Sequence, residues 1–453
     1  MNPHAEPRKR PLRRSAARML AMLGLIGAVC AALAILFGNF MLNLYARTKI
    51  EQAFAAAHPG QVLRIGPMNN SWSEGRLATA SLLLTTPDFT FKTGPIAIHH
   101  VRWAPLLSRK PALPEVFAQA SLEATNLTLE FSTPRYELRC ARLEASVPAA
   151  TLSAEAISLW PQMGDEAFFA VRPFRQTRLR VLIPECRVAG LSYPELLAGT
   201  AYRAQSIQLS RPELEALVNR DKPKDPVTRP GLMVHEALAK LGKVIALDVL
   251  TLTNGQVKYC ERRAATGPPG VLTFGAVQIS AKGLVSQAPP GTAMSIQAQG
   301  NLMNAGTLKV AMSLPVVSPN FSLSYSGSLG AMDITRLNAF LEIAENFRIT
   351  SCRDESVTFD IQVKAGHAMG KVYPIYRDLN IALLNQETGS EKGLLNRTES
   401  FLANTFKIRN ASLPDSSGKV RAGKVNYERK PDDTFLQFIW FALRSGVLDS
   451  IRF

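Results

Sequence analysis

Beyond residue 76, apolar and polar residues alternate over most of the chain. The alternation is clear at Leu77 to Leu84, Ser121 to Phe131 (SLEATNLTLEF), Val249 to Tyr259 and Thr307 to Leu314. It recurs at Phe321 to Tyr325, Val357 to Val363 and Leu379 to Leu383. A period of two gives a strand one apolar and one polar face, so these stretches predict half-buried β-strands. Asn254-Gly255, between LTLT and QVKY, predicts a two-residue hairpin turn. Helical spacing is rarer. Arg47 to Ala57 is expected to continue outward the helix of the apolar run before it, and Pro212 to Arg220 fits either a short helix or a strand end. Asp333 can N-cap a helix whose Ile334, Leu337, Phe340, Leu341 and Ala344 share one side. Leu394 to Phe406 and Thr434 to Ile451 also predict amphipathic helices.

One apolar run has a different length. From Met19 no charge occurs until Arg47, long enough for a helix to cross a bilayer. Arg8, Lys9, Arg10, Arg13, Arg14 and Arg18 precede it and place the N-terminus in the cytoplasm by the positive-inside rule. A cleaved signal peptide is the alternative, but Ala32-Leu33-Ala34 is followed by further apolar residues, which favours an uncleaved anchor. The expected plan is a basic tail (1–18), a transmembrane anchor (19–45), a β-rich region (46–219), a Pro- and charge-rich linker (220–231) and a second β-rich region (232–453).

Composition changes the picture little. The chain of 453 residues is 46% hydrophobic and 19% charged, enough apolar content for a large core. Its net charge is +16, of which about +5 sits in the N-terminal tail. In an envelope compartment the counter-surface for such charge is anionic lipid rather than nucleic acid, and no RNA- or DNA-binding motif occurs. Equally, the basic residues could simply solvate outer strand faces.

Candidate chemistry is sparse. No GxSxG, HExxH, Walker A or GxGxxG pattern is present, so neither enzyme nor cofactor is expected. His99 and His100 on a strand would point to opposite faces, a poor arrangement for a metal. The adjacent carboxylates Asp354-Glu355 and Asp432-Asp433 read as solvated turn residues. Cys140, Cys186, Cys260 and Cys352 contain no CxxC, and separate buried thiols and disulfides both remain open.

From Ala204 onward the stretches AQSIQLSRPELEALVNRD, IALDVLTLTNGQVKYCER, PPGVLTFGAVQISAKGL, MDITRLNAFLEIAENFRITS, FDIQVKAGHAMGKVYPIYRDLNIALL, SFLANTFKIRN and GKVRAGKVNYERKPDDTFLQFIWFALRSGVLDSI follow one another in an order that resembles the AsmA-like superfamily of bacterial envelope proteins. The likeness covers roughly the last 250 residues well. One departure is Ser351-Cys352, where the pattern has a glycine.

The resemblance implies a mainly β protein: a single N-terminal transmembrane helix, then a long curved antiparallel β-sheet shaped as a groove, with a few amphipathic helices packed on it. It implies inner-membrane attachment, a periplasmic body, and phospholipid or envelope proteins as partners, in support of outer-membrane integrity. On the alternating strands the groove floor would be Leu250, Leu252, Leu308, Val310, Phe321, Leu323, Val357, Phe359, Ile361, Leu379, Ile381 and Leu383. Ordinary packed core is the alternative for each, so only the collective pattern carries information. Phe435, Phe438, Ile439, Leu443, Val447 and Ile451 share a broad helical face that would cap the sheet or touch a membrane. With 18 to 22 strands, about 4.8 Å apart, such a groove would be roughly 85 to 105 Å long.

Overall fold

The computed structural model describes residues 43–384 and 408–452, apart from 46, 53, 57, 72, 107–112, 224, 226–232, 241–242, 264–266, 290, 319 and 432. The anchor up to residue 42, the basic tail, most of the linker and the helix expected at 394–406 therefore lie outside the described residues. Among the described residues no helix is long and apolar enough to cross a membrane. Residues 47–52 and 54–56 are helical, and Glu51 accepts the Ile65 N–H at 2.7 Å, securing this helix to the first strand.

The described residues are mainly β, 54% strand and 18% helix, built on one long curved mixed sheet. Its strands are β1 to β5 (Val62–Ile65, Leu77–Thr79, Leu82–Thr85, Phe89–Thr93, Ile96–His99) and β6 to β9 (Ser121–Phe131, Tyr136–Ser146, Thr151–Pro161, Thr177–Ala189). Then come β10 to β14 (Ala201–Ser210, Glu213–Asn219, Val244–Arg262, Gly270–Val285, Ala293–Leu302) and β15 to β19 (Gly306–Pro315, Leu323–Gly330, Phe347–Lys364, His367–Leu383, Gly423–Glu428). From β6 to β9 and from β12 to β19 each strand pairs antiparallel with the next in sequence.

Two arrangements depart from the expected single antiparallel ladder. β10 and β11 lie end to end, each pairing antiparallel with β9 and parallel with β12. A parallel neighbour needs a crossover, and the chain between Asn219 and Val244, carrying the helix Val234–Lys240, supplies it. At the other end, β6 pairs with β5 along Ser121–Ala124 and with β4 along Thr128–Phe131. Strands laid end to end do not lengthen the sheet, so it spans about 70 Å at ~4.8 Å per strand, shorter than the strand count suggested.

Two expected elements are also corrected. The alternating run Leu77 to Leu84 is two strands, β2 and β3. Asn254-Gly255 is no hairpin: β12 runs straight through it, with a register shift between Leu252 and Val257 and Asn254 at φ +52°. A left-handed residue serves a bulge as well as a tight turn. Pro212 to Arg220 resolves as strand β11. The Asp333 cap is present: its carboxylate accepts from the Thr335 N–H, opening a 3₁₀ turn (Ile334–Leu337) that runs into the helix Asn338–Ala344.

Asn254 is one of a series. Asn126 in β6, Ala156 in β8, Arg211 between β10 and β11, and Ala276 in β13 also take positive φ. On each strand the apolar alternation slips by one residue there: Ala124 to Leu127, Ala154 to Ile157, Leu209 to Leu214, Leu252 to Val257, Phe274 to Ile279. The slip keeps apolar side chains on one side of a sheet that bends at this line.

Candidate functional site

Residues paired across neighbouring strands lie on the same face. Following the registers gives one row: Leu77, Ile98, Leu122, Ala145, Leu152, Val188, Ile207, Leu250, Ala281, Ile296, Met312, Tyr325, Ile361, Gly370, Val425. Beside it runs a second: Ile96, Ala124, Leu143, Ala154, Cys186, Leu209, Leu252, Ile279, Ala298, Val310, Gly327, Phe359, Val372, Gly423. A third, beyond the bend, is Leu63, Leu84, Phe91, Leu129, Leu138, Leu159, Val181, Leu214, Val257, Phe274, Leu302. β14 is unbroken from Met294 to Leu302, so Ile296, Ala298 and Leu302, one from each row, place all three on one face. No charged residue interrupts them.

The opposite face reads differently. The row Glu123, Glu144, Ser153, Arg187, Gln208, Thr251, Ser280, Gln297 and, past Ala311, Ser326, Asp360, Lys371 is polar almost throughout. One face of the sheet is thus a continuous apolar surface; the other is polar along this row, and toward the ends of β11 and β12 its Leu217 and Cys260 are buried with Phe168 and Phe169.

How that apolar face is covered changes along the sheet. Over β16–β19 it is sealed by the C-terminal helix Phe435–Ile451, whose Phe438, Ala442, Gly446 and Ser450 are buried. Phe438 and Ala442 join Tyr325, Phe359, Ile361, Val363, Ala368, Val372 and Val425 in one core, and Phe435, Ile439, Leu443 and Val447 pack at its margin. Ile451 packs in a neighbouring cluster around Ile349, Tyr376 and Leu379. The aromatic stretch is therefore a cap on the sheet, while Leu436 and Trp440 are its exposed apolar residues. Met233, Val234 and Leu238 of the crossover press on the same core beside Met294, Leu314 and Leu323. Over β6–β13, by contrast, Leu122, Leu143, Leu152, Val188, Ile207, Leu209, Leu250, Leu252 and Ile279 all stay partly exposed.

The expected floor residues divide accordingly. Phe321, Leu323, Phe359 and Ile361 are buried core, with Leu308, Val310, Val357 and Leu250 at its edge. Leu379 and Ile381 sit in the neighbouring cluster, so they are core as well. Leu383 pairs with Phe347 and is half-buried. Leu252 and Val310, with Ile279, Ala298 and Gly327, help to line a hollow of about 380 Å³ where the sealed and open parts meet. The open stretch over β5–β10 was not among the expected floor residues; Ser121 to Phe131, expected as one alternating strand, changes phase within it, Leu122-Ala124 before Asn126 and Leu127-Leu129 after.

Polar clusters on the sheet are structural. Arg178, almost fully buried, meets Asp165 at 3.0 Å and Glu215 at 2.5 Å, tying the helix Asp165–Ala170 to β9 and β11. Asp433 is not a solvated turn residue as expected: it is buried and accepts hydrogen bonds from Tyr427 Oη and the Lys430 N–H. His100 takes φ +59°, which brings its ring centroid to 6.4 Å from that of His99 instead of the opposite face. Among the described residues no group of three metal-ligating side chains comes together. Cys140, Cys186 and Cys260 form no disulfide, and burial pushes their thiols up. A raised thiol is a weak nucleophile at neutral pH.

The crossover helix has a pH-sensitive seat. His235 stacks on Phe321 at 5.9 Å, and Glu236 accepts two hydrogen bonds from Arg429 at 3.0 and 3.2 Å. Burial holds His235 below its ordinary pKa, and Arg429 holds Glu236 below its own. A histidine depressed in the folded state takes up its proton more readily when released. Its contribution is therefore complete above about pH 6.5 and is lost as pH falls toward the folded pKa; that of Glu236 fades only in the lower carboxylate range. Hydrogen exchange corrected for intrinsic rate should show Met233 to Lys240 opening faster at pH 5.5 than at pH 7.5. In His235→Phe the difference should vanish while the stacking survives.

No protein-family model matches the chain, and a comparison with curated proteins finds no match.

Proposed function

We propose that this chain is a membrane-anchored envelope protein that binds the acyl chains of phospholipid along its open apolar face, without catalysis, in support of outer-membrane integrity. The observation that carries the reading is the set of three in-register apolar rows, uncharged and only partly covered over β6–β13. Folding normally hides such a surface; a large one left open marks a binding site. Its shape suits an extended hydrocarbon chain better than a compact ligand, because the rows run for tens of ångströms across many strands. Each methylene withdrawn from water contributes about 0.8 kcal/mol, so one acyl chain gains on the order of 10 kcal/mol before entropic losses. The basic tail ahead of the apolar run at 19–45, and the resemblance of the motif order to that of AsmA-like proteins, support placing the anchor in the inner membrane and the sheet in the periplasm.

The test is retention of lipid by the full chain, purified in mild detergent and examined by native mass spectrometry. Stoichiometric phospholipid is expected on the unaltered protein. Leu209→Glu with Ile279→Glu, both partly exposed positions, should lower retention at least tenfold while the chain stays folded, the pair costing about 2–3 kcal/mol. A folded protein that retains equal lipid with and without those charges would instead support a scaffold that recruits envelope partners through its surface.

A further inference from the structure

We infer that the proposed groove is blind: the C-terminal helix is a fixed stop at its β16–β19 end, so the groove holds lipid rather than passing it through. The inference rests on the acyl-binding reading and adds where a bound chain must end. The apolar rows themselves do not stop. They continue in register through Tyr325, Ile361 and Val425, and through Phe359 and Val372. A chain sliding along them would meet the helix seated directly on those residues.

The seat has no slack. Gly446 lies so near the sheet that a Cβ there would come within 2.6 Å of Val372 Cγ2 and 2.7 Å of Val425 Cγ2. A Cβ on Gly423 would lie 2.0 Å from the Gly446 carbonyl oxygen. Phe438, Ala442, Ile361 and Val372 are completely buried. Polar contacts fix the position: Tyr325 Oη donates to the Ile439 carbonyl at 3.1 Å, and the capping box of Thr434 and Gln437 closes the first turn.

The same helix blocks the sheet edge. Asp449 accepts the Lys424 N–H at 2.7 Å and Ser445 accepts the Asn426 N–H at 3.2 Å. These are backbone donors of β19, the last strand, and with them occupied another strand cannot add there to lengthen the groove. The crossover helix forms a second wall, pinned to this end by Met233, which is fully buried, and by the Glu236–Arg429 pair. Acyl chains would therefore lie over β5–β13 and enter or leave by the open side or the β1 end.

The experiment uses the full chain in vesicles of phosphatidylethanolamine and phosphatidylglycerol that carry a phospholipid with a diazirine in its acyl chain. After illumination, adducts are mapped by peptide mass spectrometry. Adducts at Leu152, Val188, Ile207 and Ile279 are expected to exceed those at Tyr325, Val372 and Val425 more than tenfold. Comparable yields on Val372 or Val425 would overturn the stop and leave the groove reading intact. Yields on β6–β13 that do not exceed those of Leu209→Glu with Ile279→Glu would remove the groove reading itself. Met369→Glu, on the polar face and exposed, should leave the adduct map unchanged.

Discussion

Replacing Phe438 with alanine is expected to destabilise the protein by about 3–5 kcal/mol, the largest loss for a single side chain in the C-terminal helix. Phe438 is completely buried and meets Phe321 edge-on at 5.0 Å between centroids and Tyr427 at 5.7 Å. Truncation leaves a cavity that the sheet cannot close, because strands β16–β19 are fixed by their ladders. Leu436→Ala, two residues earlier on the exposed side, should change stability by about 0.5 kcal/mol or less. Thermal and urea unfolding of the full chain in detergent measure both. A Phe438 loss below about 1 kcal/mol would mean that the helix rests on the sheet without closing it.

The second large effect is a contrast between two leucines on the same apolar face. Leu314 in β15 is 1% exposed and lies beneath the crossover, whereas Leu209 in β10 is only half-buried. Leu314→Ala should cost about 2–5 kcal/mol and Leu209→Ala about 1 kcal/mol, because a side chain already in contact with water leaves no closed cavity when shortened. Added phospholipid should widen the gap from the other direction. A ligand present at a hundred times its dissociation constant stabilises the unaltered chain by about 2.7 kcal/mol, and Leu209→Glu should lose most of that gain. Equal costs for the two alanine variants would show that β10 is covered in solution as fully as β15.

Much of the architecture follows from local pattern. Thr307 to Leu314 and Val357 to Val363 alternate cleanly and form regular lengths of β15 and β17. Asp333 caps the turn its neighbours predict, and Thr434 to Ile451 is a helix with its apolar stripe turned inward. Local pattern misled where one signal serves two geometries. Asn254-Gly255 suits a tight turn, yet here it is a bulge inside β12, because the left-handed backbone that closes a hairpin also lets a strand skip one residue. Nothing in AQSIQLSRPELEALVN says that it lies parallel to ALDVLTLTNGQVKYCER; that pairing depends on a crossover whose ends are far apart along the strands.

What the sequence determined by itself is which side chains are apolar and on which strand face each must point, since the two-residue period and its slips are local properties. Whether a given apolar residue is core or open surface was decided only by the tertiary structure. Leu209 and Leu314 are the same residue type on the same face, and they differ because residues 435–451 and 233–240 return across long stretches of chain to cover one and not the other. Covering is a long-range event, set by where helices find a seat such as the gap at Gly446, and no window of neighbouring residues contains it.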